Sequence, residues 1–500
     1  TVDSIRILSA EMITRAKSGH PGICFGAAAC DKTPSPSYAQ LYETTGTKSK
    51  LLARQSDLKF EDYDSSSLNV SVTVDASDKR QAYRGDGATM THSSAYLLMQ
   101  ADEATRTEIL NDFFSKDGAY FTNIRVPIGS NDYIAEDEFF TCDDMPKGET
   151  DTELEHFTLE HDADILAVLK EVVKINPDID IIAVPWSAPA WMKSTENLRG
   201  GSLKDEYIDV YAEYLVRFVQ EYAKEGVDVT YISPINEPRV TFLAYPYMRM
   251  ESDQMPKVVA ALGKQLDAAG LGDVKIMAYE HNYNSESDVT AQQYVEALMA
   301  GESKNYVDAI SFHTYAGEFD VTLQYAFEYL DSIGFEGEIY LTETTEYDGS
   351  IDFASNLSYA LKNVVLTPTA YGSSMSLYWN YVLGSDGTPV KGNSSVCFGV
   401  MNLDYGESAG WVYSKNAAYY AMAHLSKFAC PIDGEAPVVI GAESSNSSKI
   451  ISTAFERADG KLVVVVHNTN DATYEDVDIV VGKKSVTYRI LPQSVITLVI

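Results

Sequence analysis

Between residues 81 and 424 the chain alternates eight times between a short apolar run and a longer amphipathic stretch. The runs are AYRGDGATMT (82–91), FTNIRVPIG (121–129), DIIAVPWSAP (180–189), VTYISPINEP (229–238), VKIMAYEHN (274–282), VDAISFHTY (307–315), EIYLTETTE (338–346) and SMSLYWNYVL (374–383). Between them lie segments with helical periodicity, such as 162–177 and 207–226. In the latter, Tyr207, Val210, Tyr211, Tyr214, Leu215 and Phe218 share one face, a core-packing stripe. Eight such alternations in about 300 residues predict an α/β chain folded as a (β/α)8 TIM barrel, with a doubly wound open sheet as the competing topology. The first run carries the weakest strand signal.

Outside that region the rhythm changes. From 425 to 500 helices give way to short strands, with a hairpin across the ADG at 458–460, and a flanking β-sandwich domain is expected. LNVSVTVDAS (68–77) alternates polar and apolar residues, so 68–80 is expected to add a strand to that sandwich and tie both chain ends to one sheet. Residues 1–67 read as an N-terminal extension: a helix and an SGHPG turn, then a polar linker over 33–67.

The charge balance excludes some partners. With 38 Lys and Arg against 73 Asp and Glu the net charge is −35, which opposes phosphate backbones and anionic lipid surfaces. Nucleic acid is therefore not an expected partner. No run of eighteen apolar residues appears, so no membrane span is expected. The first twenty residues carry charges throughout and show no secretory pattern, so cytoplasmic residence and secretion after loss of a leader both stay open. Five cysteines are scattered without a CxxC, and His156 and His161 stand five apart, not at zincin spacing; neither a disulfide framework nor a metal centre is indicated.

Barrels of this kind gather their chemistry at the carboxyl ends of the strands. Here those ends carry Arg125, Asp132, Trp186 with Trp191, Asn236 with Glu237, Glu280, His313 with Tyr315, Glu343, and Trp379 with Asn380. Aromatic faces stack on the C–H face of a sugar, while amides and carboxylates read its hydroxyls. Two carboxylates can cut a glycosidic bond, one protonating the leaving oxygen and the other attacking C1 or activating water. Glu237 and Glu343 close the fourth and seventh runs, which face each other across a barrel mouth. Glu346, three residues further on, is a rival for the second role.

In order along the chain, GDGATMTHSSAYLL, RVPIGSNDY, PWSAPAWMKST, GGSL, SPINEP, HTYAG, LTETTE, YWNYVL and HLSKF resemble glycoside hydrolase family 30, the glucosylceramidase-like group, over about residues 80–500. The resemblance implies a retaining hydrolase. Glu237 would be the general acid/base, with the raised pKa, and Glu343 the nucleophile. Asn236 would hold the sugar 2-hydroxyl, Asp132, Trp186 and Trp379 would line the glycon subsite, and His313 and Tyr315 would stand beside the nucleophile. The implied substrate is a β-linked oligosaccharide, glycan or glycolipid, with β-D-glucose as glycon and β-1,6-glucan, β-xyloside and β-fucoside as alternatives. No metal or organic cofactor is implied, and the oligomeric state stays open. GDGATMT departs from the family's GFGGAMT, placing Asp86 where an aromatic residue stands; Thr314 replaces a Trp of some members, and YEHNYN differs from the DDQ-like forms of glucosylceramidases.

Two other readings are carried. Residues 2–28 resemble a transketolase N-terminal fragment, and the Gly85–Gly87 GDG with Asn111 mimics a thiamine-diphosphate motif, so a thiamine-diphosphate transferase with His20 at its site is one. A carbohydrate-binding pseudo-enzyme is the other, opposed by the presence of both Glu237 and Glu343.

Overall fold

The computed structural model describes residues 36–241, 244–283, 290–317, 328–345, 352–392 and 397–500. The helix and turn expected over residues 1–32, with His20, lie outside that range, as does Glu346. All eight apolar runs contain strands: Gly85–Thr89, Asn123–Ile128, Asp180–Pro185, Tyr231–Ile232, Lys275–Asn282, Val307–His313, Glu338–Glu343 and Ser373–Leu383. They pair in parallel in chain order, and the last pairs with both the seventh and the first, which closes the ring. The barrel is filled by side chains that include Ile182, Val184, Tyr231, Met277, Ala309, Tyr340, Met375 and Leu377.

Helices cover the ring by burying their apolar stripes. Ile208–Lys224 buries Tyr211, Tyr214, Leu215 and Phe218, while Tyr207 and Val210 pack at its margin. Tyr211 and Tyr214 settle their hydroxyls on the Pro234 carbonyl and the Cys142 amide, so neither buried phenol is left unpaired. Among the described residues no helix is long and apolar enough to cross a membrane.

The sandwich strands run from Val438 to Val499. Val70–Ala82 joins them, antiparallel to Val438–Ser444 and parallel to Glu475–Val481. The polar-linker reading of 33–67 needs correction. Tyr38–Thr44 is a strand, with Gln40–Thr44 antiparallel to Val495–Val499. Its composition hides this, because only alternate residues, Ala39 and Leu41 among them, enter the sandwich core while Tyr38 and Gln40 face outward.

Two buried histidines stitch barrel to sandwich. His424 contacts Thr497 through Nδ1 and Thr44 through Nε2, each at 2.8 Å. His467 donates from Nδ1 to the Ser494 carbonyl and meets Ser358 through Nε2. Burial pulls their pKa values down to about 3 and about 4. Unfolded histidines take up a proton near 6.5, so between there and about 4 the unfolded chain binds more protons. Stability from these rings is full above pH 6.5 and falls as the pH drops, by roughly 2 kcal/mol per histidine at pH 5. Urea midpoints at pH 7 and pH 5 should differ accordingly, and His467→Gln should shrink the difference. An undiminished difference in that variant would remove His467 from the effect.

Candidate active site

The fourth strand is only two residues long, yet the chain after it is held residue by residue. Ser233 donates its amide to the Ala183 carbonyl, Asn236 to that of Pro185, and Glu237 to that of Glu280. Asn236 is thereby pinned to the third strand and Glu237 to the fifth. Pro234 and Pro238 have no amide hydrogen to satisfy. Glu237 sits at φ +44°, a left-handed conformation that costs a non-glycine residue on the order of 1 kcal/mol or more and persists only where its surroundings enforce it.

Glu343 ends the seventh strand opposite. One carboxylate oxygen of Glu237, one of Glu343 and a ring nitrogen of His313 all lie within 4.8 Å of one another. Beneath the two acids Arg125, fully buried, donates from Nη1 to Glu343 at 2.5 Å and from Nη2 to the Asn236 amide oxygen at 2.5 Å and to Glu280 at 3.2 Å. Its guanidinium lies 4.8 Å from the Trp186 ring centre and 5.7 Å from that of Trp379. The two indoles are 5.3 Å apart. Tyr315, a partly exposed residue, donates its hydroxyl to Glu343 at 3.0 Å.

His313, fully buried, bridges two carboxylates, Nδ1 to Glu237 at 3.1 Å and Nε2 to Glu280 at 2.8 Å. Burial works against its charge, but Glu343, Glu237 and Glu280 outweigh that and push its pKa up to about 9. At neutral pH the ring is an imidazolium donating at both nitrogens.

The buried cluster therefore holds two cations, Arg125 and His313, and three carboxyl groups, Glu237, Glu280 and Glu343. Ionising all three would leave an uncompensated negative charge out of water, which burial penalises. Glu237 and Glu343 accordingly titrate as a pair. The ordering within it reverses the expectation from sequence. Burial raises Glu237, but the imidazolium of His313 holds it below the ordinary carboxylate value. Glu343 stays above that value through burial and the charge of Glu237, against the pull of His313 and Arg125.

Of the residues picked from sequence, Trp186, Asn236, Glu237, His313, Tyr315, Glu343 and Trp379 converge on this cluster. Asp132 is buried nearby; its charge, with those of Glu237 and Glu343, adds to burial in raising the Tyr245 phenol far above its ordinary value. Trp191 and Asn380 belong to the packing instead. The first donates its indole N–H to Asp143, and the second accepts from Thr91. Asp86 is in register with Ser376 on the face of the first strand that carries Ala88 toward the helices, not on the face of Trp379. Burial raises its carboxyl to about 8.

The thiamine-diphosphate spacing dissolves as well. Gly85–Gly87 is barrel strand, and Asn111 bonds the Thr107 carbonyl on an exposed helix face. Sequence reading gave Arg125 and Glu280 no role and passed over Tyr245 and Cys397, which pack with this cluster's aromatic wall. A guanidinium inside the apolar NIRVPI strand was the available signal for Arg125.

Comparison with known proteins agrees with this geometry. Residues 83–429 match the glycosyl hydrolase family 30 TIM-barrel domain and residues 438–498 the glycosyl hydrolase family 30 beta sandwich domain. An endo-1,6-beta-D-glucanase of Neurospora crassa is 29% identical over 79% of this chain and 81% of its own length. The lysosomal acid glucosylceramidase of Mus musculus is 26% identical over 82% of this chain and 79% of its own. Among solved structures, an endo-beta1,6-glucanase superimposes with a TM-score of 0.80 at 27% identity, covering 93% of this chain and 99% of that one.

Proposed function

This chain belongs to glycosyl hydrolase family 30, and from that premise we propose that it hydrolyses a β-1,6-linked glucan with retention of configuration, Glu237 serving as acid/base and Glu343 as nucleophile. The observation that carries the assignment is the separation of the two carboxyls, with oxygens within 4.8 Å. Retaining pairs stand about 5 Å apart, whereas inverting pairs need about 6.5 Å or more to admit a water.

In the first step Glu343 attacks the anomeric carbon while the Glu237 carboxylic acid gives its proton to the departing glycosidic oxygen. The products are a glycosyl ester on Glu343 and the freed alcohol. In the second, Glu237 as carboxylate takes a proton from water, whose oxygen displaces Glu343 and returns the β-sugar. The pair's shared proton must sit on Glu237 when the bond breaks. The unliganded ordering is the reverse, and two features of the bound state oppose it. The glycosidic oxygen supplies an acceptor beside Glu237, and positive charge grows at the anomeric carbon beside Glu343.

The neighbours suit this chemistry. Arg125 and Tyr315 orient the nucleophile. Arg125 occupies the Asn236 amide oxygen, which leaves the amide N–H groups for the 2-hydroxyl. Trp186 and Trp379 offer an apolar wall for the sugar, with Asp132 near it for its hydroxyls.

A β-1,6-glucan is preferred over a glycolipid on two grounds. Endo-1,6-glucanases are among the relatives at 29% identity, and a net charge of −35 disfavours work on anionic membranes. A panel of a linear β-1,6-glucan, aryl β-D-glucoside, aryl β-D-xyloside and glucosylceramide in neutral detergent tests it. Rapid release of oligosaccharides from the glucan, with the β-anomer formed first, is expected. Cleavage confined to glucosylceramide would overturn the substrate, and an initial α-anomer the mechanism.

A further inference from the structure

The double displacement calls on Glu280 for nothing, yet Glu280 is the most heavily bonded acid in the cluster. It is fully buried, and its Oε2 accepts from His313 at 2.8 Å, Thr342 at 2.9 Å and Arg125 at 3.2 Å. Its other oxygen has no hydrogen-bond partner among the described residues. Its backbone carbonyl accepts the amide of Glu237 at 2.9 Å. One residue thus reaches the proton donor by two routes, through the main chain and through the imidazole ring.

The backbone is bent to bring this about. Tyr279 and Glu280 have φ of +84° and +50°, and the pairing with the sixth strand slips between Tyr279 and His281. A regular strand alternates its side chains. Here the bulge lets Tyr279 pack against Phe312 and Tyr294 while Glu280 meets Arg125 and His313. Two consecutive left-handed non-glycine residues in one strand are kept only where the surrounding contacts enforce them.

We propose that Glu280 is a positioning residue for the acid/base: its carboxylate keeps His313 a cation aimed at Glu237, and its carbonyl fixes the main chain from which Glu237 projects. This deepens the functional reading above and rests on it.

The charges facing His313 decide the matter. Glu237 and Glu280 bond its two nitrogens, and Glu343 lies 4.0 Å from Nδ1. Tyr315 stands edge-on at 6.2 Å. Against the cation are Arg125, which shares Glu280 and Glu343 with it, and His281, 3.9 Å from the same Glu237 oxygen. Glu237 and Glu343 titrate as a pair, whereas Glu280, held below its ordinary value against burial by Arg125, His313 and Thr342, keeps its charge outside that pair and faces the imidazolium at Nε2. With Glu280 neutral, His313 loses its Nε2 acceptor and one of the three carboxylates that face it, so its proton is held less firmly.

Nitrogen-15 NMR of the histidine side chains tests this without substrate, the His313 signals being identified by their absence from His313→Asn. In the parent enzyme His313 should remain an imidazolium well above pH 7. In Glu280→Gln its titration should move down by about 1–3 units. Its kcat/KM on a substrate with a poor leaving group should fall about 10- to 100-fold, more at pH 8 than at pH 5.5. Glu280→Asp, which keeps the charge but shortens the reach, should retain the high titration and lose kcat evenly with pH. A merely structural Glu280 would lower thermal stability and leave His313 unmoved. A neutral His313 in the parent at pH 7, or an unshifted titration in Glu280→Gln, overturns the proposal; the first holds even if that variant fails to fold. A parent with the expected titration and no hydrolysis of any β-glycoside would uphold the Glu280–His313 link and overturn the functional reading instead.

Discussion

Glu343→Ala should abolish turnover, with a loss on the order of 10^4- to 10^6-fold, the scale seen when a covalent nucleophile is removed. Removing this carboxylate also removes the partner of a buried guanidinium: Arg125 would keep Asn236 and Glu280 but face an empty space where Glu343 had been. That space is anion-shaped and positively lined. Added azide should enter it, attack the anomeric carbon from the vacated side and give the α-glycosyl azide, with partial recovery of rate on an activated aryl glycoside. Recovery without an azide adduct, or no recovery at any azide concentration, would take the nucleophile's role from Glu343.

Glu237→Gln should divide substrates by leaving group. The amide keeps the size of the carboxyl and can still meet His313, but it has no proton to give. Substrates with alkyl or sugar leaving groups need that proton and should lose about 10^2- to 10^4-fold. Aryl glycosides with acidic phenols leave unaided, so their first step should be much less affected. The second step, without its base, should slow, and the glycosyl ester should accumulate and be detectable by intact mass. Azide should accelerate this variant too, but through attack on the ester, giving the β-azide. The opposite azide anomers from the two variants are the discriminating result, because only a double displacement with these two roles produces both. Equal losses for poor and good leaving groups would remove Glu237 from the donor position.

The architecture was legible in the sequence to different depths. Most barrel strands announced themselves through a short apolar run, because a strand buried on both faces is largely apolar; Gly85–Thr89, with its buried Asp86, was the faintest. Tyr38–Thr44 did not, since its partner lies more than 450 residues away at Val495–Val499 and only half its side chains enter a core. The GDG with Asn111 shows the reverse error: a spacing that matched a motif carried no chemistry once one part proved to be barrel strand and the other an exposed helix position. Trp191 lies beyond its strand and turned into packing because the loop sets its direction, whereas Asn380, still paired within Ser373–Leu383, follows Trp379 and takes the opposite face of the strand.

Sequence alone determined that eight strand-helix units alternate along this chain and that two acids, at the ends of the fourth and seventh strands, are candidates to work together. Those features are local, written in residue type and position. The tertiary structure alone decided how charge is shared: that Arg125 ties Glu343 to Asn236 and Glu280, that His313 lies between Glu237 and Glu280, and that a bulge with left-handed residues turns Glu280 into the cluster. Coulomb energies and desolvation depend on distances of a few ångströms between groups far apart in the chain, and no one-dimensional pattern carries those distances.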